Sequence, residues 1–420
     1  MLRCGLLEPQ NERLLEHQNK ISVPIRIMTL KIKKTLSREM QNMEAAGLLR
    51  AETAVVQTAD MEVLINGEQS YLNFMGNDLL GWSSNEDIRE IAQEALAQFG
   101  AGNTSSRISI GTLDIIQHLE ETLSSFLEVD DAMVFPSHYL ANIGVFEPLT
   151  NKRDTIFIDE MCNPGLYDGA RLSQANVIAF RYQDYDDLEY HLKCSQNSRF
   201  RIIVTDSLFN TDGYLADLEH INKLAKNYDA ITLVDDSYGV GILGNRGKGI
   251  FNHLQLEKKA ELITGTFAYA LGNVGGGFIS GDKDLIKWLR HTSRPYILSE
   301  PLSPVNAAIV ISAIEILEED DSALRRYHAN AKYIKDVIRK KDWKLKRNDS
   351  PWVSINVGST LNAQKMVEYL FNNNILVSGL CYPNTPEGES LLRISISANH
   401  TEEQINTLID VLEAAFAVLE

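Results

Sequence analysis

Short hydrophobic runs separated by stretches of helical length make up much of the chain from residue 130 onward. Each run is apolar at successive positions, which is typical of a strand whose two faces are both buried. Strands of this kind that alternate with helices predict an α/β fold, with a mostly parallel sheet covered by helices. The runs are Ala132–Phe135, Thr155–Ile158, Val177–Phe180, Ile202–Val204, Ile231–Val234, Leu262–Ile263 and Gly277–Ile279.

Three other segments show the apolar spacing of helices. Residues 30–50 carry a loose apolar stripe, which predicts a helix near the start of the chain. Apolar residues recur at helical spacing from Ile88 to Phe99, and Gly100 is the expected end of this second helix. A long helix is predicted from Ala307 to Glu319.

The C-terminal part of the chain mixes strand and helix patterns. Thr401 and Gln404 form a capping box at the start of the terminal helix. The mixture predicts a small α+β domain with strands at Trp352–Val357, Ile375–Ser378 and Leu392–Ser397. The apolar face of the terminal helix consists of Ile405, Leu408, Ile409 and Leu412.

Three prolines, Pro295, Pro301 and Pro304, separate the sheet-forming region from the C-terminal part. They indicate a domain boundary, because proline interrupts both helices and central strands. We therefore expect an N-terminal arm and helix over residues 1–75, a large domain over 76–300 and a small domain over 301–420.

The composition narrows the class of protein. Its 420 residues, 44% hydrophobic and 23% charged, are typical of a globular protein with a large core. The net charge of −17 argues against a nucleic-acid partner, which would need a basic face. The first 50 residues are basic, and we interpret them as a solvated helical arm, with weak contact to a membrane surface or a partner as the alternative.

The cysteines indicate a reducing compartment. Cys4, Cys162, Cys194 and Cys381 are scattered and form no C-x-x-C pair, so neither a disulfide framework nor a metal site is expected. The chain has no apolar run long enough for a membrane span and no signal-peptide core. We expect a soluble cytoplasmic protein.

Polar side chains follow the carboxyl ends of the predicted strands. They are Asp159, Asp206, Asp235, Thr264 and Thr266. In open α/β sheets this edge is where ligands bind, so we expect the functional site there.

Several motifs in order give the chain a family resemblance. Asn73–Gly81 reads N-F-M-G-N-D-L-L-G, Gly100–Arg107 reads G-A-G-N-T-S-S-R, and Leu391–Thr401 reads L-L-R-I-S-I-S-A-N-H-T. Together they resemble the signatures of the α-oxoamine synthases, a family that uses pyridoxal phosphate (PLP), and the resemblance covers residues 35–418. It implies the PLP-dependent fold type I, and an activity that condenses an amino acid with an acyl-CoA and releases carbon dioxide.

The resemblance also implies roles for individual residues. Asp235 falls where the family pairs a carboxylate with the pyridine nitrogen of PLP, although an Asp at a strand end also caps or forms salt bridges. Thr266 falls where a hydroxyl meets the cofactor phosphate, with a structural loop threonine as the alternative. Arg393 matches the group that binds the substrate carboxylate, and Asn77 is a second candidate for substrate binding.

The most informative departure from the family is Tyr269, within Thr264–Gly272. It stands where the family has the lysine that forms a Schiff base with PLP, and a phenol cannot form an imine. Lys248 matches a basic position that the family already has, so it is not expected to replace the missing amine. The resemblance therefore implies that PLP, if it binds, is held non-covalently, and no catalytic residue is intact.

Other cofactor contacts differ as well. Asn163 stands where the family has a histidine that stacks on the pyridine ring, and Tyr238 replaces a second histidine. His138, followed by Tyr139, occupies a glycine position in the turn that approaches the phosphate, where a side chain is expected to crowd it. Glu300 replaces a threonine that would reach the phosphate of the neighbouring subunit.

These observations support three hypotheses. The first is a non-catalytic partner or regulatory subunit, in a homodimer or in a heterodimer with a lysine-bearing homologue. The second is an active acyltransferase that uses non-covalent PLP or no PLP. The third is a protein that binds an acyl-CoA or a lipid in the same cleft.

Overall fold

The computed structural model describes residues 30–45, 52–57, 60–346, 350–382 and 384–419. The chain divides into two units, residues 1–54 and residues 55–420. In the first unit, helix α1 spans Leu30–Ala45. This confirms a helix in the first part of the predicted segment 30–50, whereas residues 46–50 lie outside the described residues.

The second unit begins with three short strands. β1 (Val55–Gln57) and β2 (Glu62–Ile65) pair antiparallel, and β2 pairs antiparallel with β3 (Gln69–Asn73). The sequence pattern did not predict these strands, because β1 is exposed and the other two are only partly buried.

A seven-stranded sheet forms the centre of the second unit. All seven predicted runs form strands of this sheet: β4 (Asp131–Phe135), β5 (Thr155–Asp159), β6 (Asn176–Phe180), β7 (Arg201–Asp206), β8 (Ile231–Asp235), β9 (Leu262–Thr266) and β10 (Gly277–Gly281). Their order is β4-β10-β9-β8-β7-β5-β6. Neighbours from β9 to β6 pair parallel, and β10 is antiparallel to both β4 and β9. The predicted α/β fold with a mostly parallel sheet is confirmed.

The C-terminal strands form two smaller pairings. β11 (Val353–Gly358), β14 (Ser390–Ile394) and β13 (Ser378–Leu380) make an antiparallel sheet in that order. β12 (Ile375–Leu376) instead pairs parallel with β3, so it joins the strands that precede the central sheet.

Helices cover both faces of the central sheet and one face of the small antiparallel sheet. They are α2 (Glu86–Phe99), α3 (Arg107–Ile110), α4 (Asp114–Leu127), α5 (His138–Leu149), α6 (Pro164–Leu172), α7 (Tyr185–Cys194), α8 (Leu218–Asn227), α9 (Ile250–His253), α10 (Lys283–Thr292), α11 (Arg294–Leu298), α12 (Pro304–Glu319), α13 (Ser322–Lys340), α14 (Thr360–Asn372) and α15 (Glu402–Leu419). Among the residues that the structure describes, none of the helices combines the length and apolar character needed to span a bilayer.

Alternating residues of the central strands contribute their side chains to two hydrophobic cores, one on each face of the sheet. In β4, for example, Val134 belongs to a core that also contains residues of α4, α8 and α12, whereas Met133 belongs to a core with residues of α5, α6 and α10. This alternation is the two-residue period of a strand that is buried on both faces. A third core lies among α13, α14, α15, β11 and β14. Helix α12 belongs to the core of the central sheet, and the predicted domain boundaries at residues 75 and 300 stay predictions.

Two predicted helix ends are confirmed in detail. Gly100 is the C-cap of α2, and its backbone N–H donates to the carbonyl of Leu96. At α15, the backbone N–H of Thr401 donates to Gln404 Oε1 at 3.0 Å, and the N–H of Gln404 donates to Thr401 Oγ1 at 3.2 Å. This reciprocal pair is the predicted capping box.

A glycine lets the start of α5 lie directly on the central sheet. A Cβ on Gly277 in β10 would fall against the Cα of His138 and only 2.7 Å from its backbone nitrogen. Because glycine leaves this space free, α5 packs across β10 and β9. His138 is thereby carried from the end of β4 towards the end of β8.

We expect Gly277→Ala to destabilise the protein by about 1–3 kcal/mol, because the added methyl group meets backbone that cannot turn away. Gly275→Ala is the matched control, since a Cβ there would meet no described atom within 4 Å. Its expected effect is below about 0.5 kcal/mol. Urea unfolding of the two variants measures the difference, and equal stabilities would contradict this account of Gly277.

Candidate functional site

The carboxyl ends of β5, β7 and β8 bring three buried acids to one edge of the central sheet. Asp206 and Asp235 are register partners on adjacent strands, and Asp159 ends β5 on the other side of β7. Burial raises the pKa of Asp159 to about 7 and the pKa of Asp206 well above its ordinary range. The predicted cluster of polar residues at this edge therefore exists, and it is electrostatically costly.

Asp235 is paired with a histidine. Its Oδ2 lies 2.8 Å from His138 Nε2, and only 2% of the Asp235 side chain is exposed. Burial raises the pKa of Asp235, but the charge and hydrogen bond of His138 outweigh it and hold that pKa below its ordinary value. Conversely, burial lowers the pKa of His138, and Asp235 outweighs burial and raises it.

Two further side chains complete the surroundings of Asp235. Asn142 Nδ2 donates to Asp235 Oδ2 at 3.1 Å, and the backbone N–H of Ser237 donates to Oδ1 at 3.0 Å. The Ser237 hydroxyl also lies 3.0 Å from His138 Nε2. Both oxygens of Asp235 are thus engaged by groups of the chain itself.

Two tyrosines stack beside this pair. The rings of Tyr238 and Tyr269 are 4.6 Å apart with an interplanar angle of 12°, and the Tyr238 hydroxyl donates to the Tyr269 hydroxyl at 3.1 Å. Asn210 Nδ2 donates to the Tyr238 hydroxyl at 2.9 Å, and Trp352 meets the Tyr238 ring edge-on at 5.1 Å. Burial raises the pKa of Tyr269, so this phenol is neutral and cannot act as an anionic base near neutral pH.

Arg393 approaches the same cluster from β14. Its guanidinium carbon lies 6.0 Å from the centroid of the Trp352 ring, and its charge acts on Tyr269. The Nε of Arg393 is buried and has no hydrogen-bond partner among the described residues. The predicted substrate-binding arginine is therefore beside the tyrosine pair, and its role stays a prediction.

Other predicted contact residues have local structural roles. Asn163 is the N-cap of α6, where its Oδ1 accepts from the N–H of Gly165 at 2.8 Å. Tyr139 is exposed, and its hydroxyl donates to Asp168 at 2.9 Å. The Thr266 hydroxyl donates to the carbonyl of Gly276 at 3.2 Å.

Two of the predicted residues lie at exposed positions. Asn77 is in the turn before the 3₁₀ helix Trp82–Ser84, and Glu300 follows α11. His138 also differs from expectation. Its imidazole lies against Asp235, whereas the sequence predicted a side chain that crowds the phosphate-binding turn.

The residues at this site do not fit PLP in the position that the family resemblance implies. The carboxylate implied for the pyridine nitrogen is already paired with His138 and Asn142. Tyr269 supplies no amine, and its ring is stacked on the ring of Tyr238. We therefore derive no chemical step through this cofactor.

The geometry also disfavours a serine hydrolase arrangement. Ser237, His138 and Asp235 are within hydrogen-bonding distance, but the hydroxyl and the carboxylate both contact Nε2. A catalytic relay needs the hydroxyl on one ring nitrogen and the carboxylate on the other. The three residues are instead suited to stabilising a buried charge.

Three members of the site were missed by sequence reasoning: Asn142, Ser237 and Trp352. Ser237 lies between Asp235 and Tyr238, which the sequence analysis had identified, so its position in the chain was a signal. Asn142 follows His138 by four residues, so both lie on one face of α5. Trp352 begins the predicted strand Trp352–Val357, and nothing in its pattern indicates that it faces the tyrosines.

The pH dependence of stability tests the His138–Asp235 pair. Because the pKa of His138 is raised by folding, the pair stabilises fully below the unfolded pKa of about 6.5. Its contribution is lost as the pH rises through the raised pKa of the folded state. Hydrogen bonds to charged groups are worth about 1.5–3 kcal/mol, which sets the expected size of the loss.

The measurement compares urea unfolding of the wild type and His138→Gln across this pH range. Glutamine donates a hydrogen bond without titrating. Both proteins keep Asp159 and Asp206, as well as the buried Asp236, whose pKa burial raises to about 7. We expect the stability advantage of the wild type to shrink as the pH rises above about 6.5. A difference that stays constant with pH would contradict an ionised pair.

Comparisons with known proteins agree with the fold and the motifs. The family model "Aminotransferase class I and II" matches residues 69–412. The chain is 33% identical over 377 residues to an 8-amino-7-oxononanoate synthase of Thermosipho melanesiensis, covering 90% of this chain and 96% of that protein. It is 32% identical over 377 residues to a 2-amino-3-ketobutyrate coenzyme A ligase of Escherichia coli, covering 89% and 95%.

Solved structures give the same assignment. A serine palmitoyltransferase described with a PLP internal aldimine superposes with a TM-score of 0.84 at 26% identity, covering 93% of this chain and 98% of that chain. The serine palmitoyltransferase of Sphingomonas wittichii gives a TM-score of 0.84 at 25% identity, with the same coverage. The chain therefore belongs to the aminotransferase class I and II family and, within it, to the α-oxoamine synthases.

Proposed function

We propose that this α-oxoamine synthase homologue has no synthase activity of its own and is a cytoplasmic partner subunit that stabilises or regulates a lysine-bearing synthase. The observation that carries the proposal is the tyrosine pair at the candidate site. Tyr269 and Tyr238 stack on each other, and Tyr269 stands where the Schiff-base lysine is expected. A site without that amine lacks the group on which the chemistry of the family depends.

Lys248 and Lys259 do not supply the missing amine in this proposal. Lys248 Nζ is paired with Glu128 Oε1 at 2.8 Å, as expected for a structural residue. Lys259 contacts the same carboxylate at 3.3 Å and the backbone carbonyl of Leu127 at 2.7 Å. Both amines are therefore engaged outside the tyrosine cluster.

An exposed apolar surface supports a partner. We call the surface formed by Ile108, Ile110, Tyr139, Leu172 and Leu298 the Leu298 face. Each of these side chains is more than half exposed, which is unusual for so many large apolar residues.

Two contacts bring parts of the Leu298 face near each other. Leu172 and Leu298 line the same surface cavity. Arg107, at the start of α3, lies 4.4 Å over the ring of Tyr296 in α11. Large apolar residues exposed near one another support a site for protein association.

Glu300 favours stabilisation or regulation over a shared active site. It follows the Leu298 face in the chain and replaces the threonine expected to reach the neighbouring subunit's cofactor phosphate. A carboxylate at that position repels a phosphate. The proposal is therefore a heterodimer in which the other chain performs the chemistry.

The two rival functions have weaker support. An enzyme with non-covalent PLP would need Asp235, whose oxygens already accept from His138, Asn142 and Ser237. Acyl transfer without PLP would need a relay that the shared Nε2 of His138 does not provide. Binding of an acyl-CoA or a lipid has no specific observation in its favour.

Association can be tested with any lysine-bearing homologue that the same genome encodes. After co-expression, native mass spectrometry should detect a heterodimer, and the synthase should gain thermal stability or change in turnover. Leu298→Glu should weaken the complex by at least about tenfold, because it places a charge in an apolar interface. Tyr190→Glu on α7, a substitution at a similarly exposed residue, is the control.

Two results would count against the proposal. One is a chain that remains a homodimer in the presence of the homologue. The other is a purified chain that makes product from an amino acid and an acyl-CoA unaided. Stabilisation by CoA esters without association would instead favour the ligand-binding alternative.

Restoring the lysine tests whether one change explains the loss of chemistry. We expect Tyr269→Lys alone to remain at least about 100-fold less active than lysine-bearing relatives, because His138 still engages Asp235 and Tyr238 still occupies the site. Turnover with an amino acid and acyl-CoA, and mass spectrometry after borohydride reduction with PLP, provide the readouts. Substantial turnover by this variant would refute the importance given to the other residues.

A further inference from the structure

The contact between His138 and Asp235 places a new group at the candidate site, in addition to the loss of the lysine. A flat aromatic nitrogen base donates to the carboxylate at the end of β8, with Nε2 and Oδ2 separated by 2.8 Å. That carboxylate is the group implied to pair with the pyridine nitrogen of PLP. Only 15% of the His138 side chain and 2% of the Asp235 side chain are exposed, so the pair is largely buried.

We propose that the His138 imidazole is a built-in replacement for the pyridine ring, which pairs with Asp235, excludes PLP and lets the chain fold without any cofactor. An imidazolium and a pyridinium share the relevant chemistry. Each is a planar aromatic cation that presents one N–H to a carboxylate. The inference does not depend on the proposed partner.

The charge balance explains why such a replacement is needed. Asp235 and Asp206 are register partners on adjacent buried strands, and both are almost fully buried. A buried carboxylate without a partner costs several kcal/mol, and a second acid beside it increases the cost. A protonated imidazole supplied by the chain offsets this cost without any ligand, whereas a cofactor would offset it only when bound.

The local structure holds the imidazole in this place. Asn142, one turn along α5, donates to Asp235 Oδ2 at 3.1 Å, and its Nδ2 is 3.0 Å from His138 Nε2. Ser237 contacts both members of the pair through its hydroxyl and its backbone N–H. Gly277 has no Cβ and so lets the backbone of His138 lie against the sheet. The arrangement is therefore a built site whose occupant is part of the chain.

Chemical rescue tests the replacement directly. His138→Gly removes the ring and leaves a cavity that ends at Asp235, and His138→Ala is the control for the added flexibility of glycine. We expect both variants to have a lower Tm than the wild type. Added imidazole or pyridine should raise the Tm of both variants, because engineered cavities bind small molecules that resemble the deleted group.

Two controls make the rescue specific. The wild type should show no rise with imidazole, because the ring is already present. The double variant His138→Gly, Asp235→Asn should show none either, because the carboxylate is gone. A rise that is equal in all of these proteins, or absent in the single variants, would overturn the proposal.

PLP itself provides a second readout. Equilibrium dialysis should show PLP binding to His138→Gly at least about tenfold more tightly than to the wild type. Equal affinity for the two proteins would overturn the proposal, because His138 would then exclude nothing.

If the glycine variant does not fold, the proposal can still be tested without it. The pKa of His138, measured by NMR in the wild type, should fall in Asp235→Asn. An unchanged pKa would mean that the imidazole does not serve as the cation for this carboxylate.

Discussion

A buried carboxylate that must have a cationic partner is the constraint on which this structure depends. Asp235 ends the central strand β8 beside Asp206, in a place that the fold seals from water. The α-oxoamine synthase fold puts an acid there, and the pyridine ring of PLP is the partner that the family resemblance implies. In this chain His138 meets the same electrostatic need from within, and Asn142 and Ser237 bind around the pair.

The remaining changes at the site are consistent with that one contact. When a side chain occupies the place of the cofactor ring, a lysine beside it would be a second buried cation without a ligand. Tyr269 avoids this cost, because a neutral phenol can bury its ring against Tyr238 and still satisfy its hydroxyl. The substitutions thus form one self-consistent packing arrangement, in which polar groups find partners inside the chain.

The scaffold around the site is that of an intact family member. The seven-stranded sheet, the two cores on its faces and the capped terminal helix match the family layout, and the Leu298 face leaves a large apolar surface exposed. This exposed apolar face is one of the observations that support the proposed association. In the proposed partner role, the internal pairing of Asp235 would let the chain fold without a cofactor.

The sequence by itself determined the strands of the central sheet, the helix caps and the edge where the polar residues gather, because these follow from local periodicity and from capping groups close in the chain. It also determined the loss of the amine at Tyr269. It did not determine β1 to β3, whose exposed and half-buried positions carry no clear period. Only the tertiary structure decided the partner of Asp235. His138 is 97 residues away in sequence, and the contact depends on a helix crossing two strands over Gly277, which no local pattern encodes.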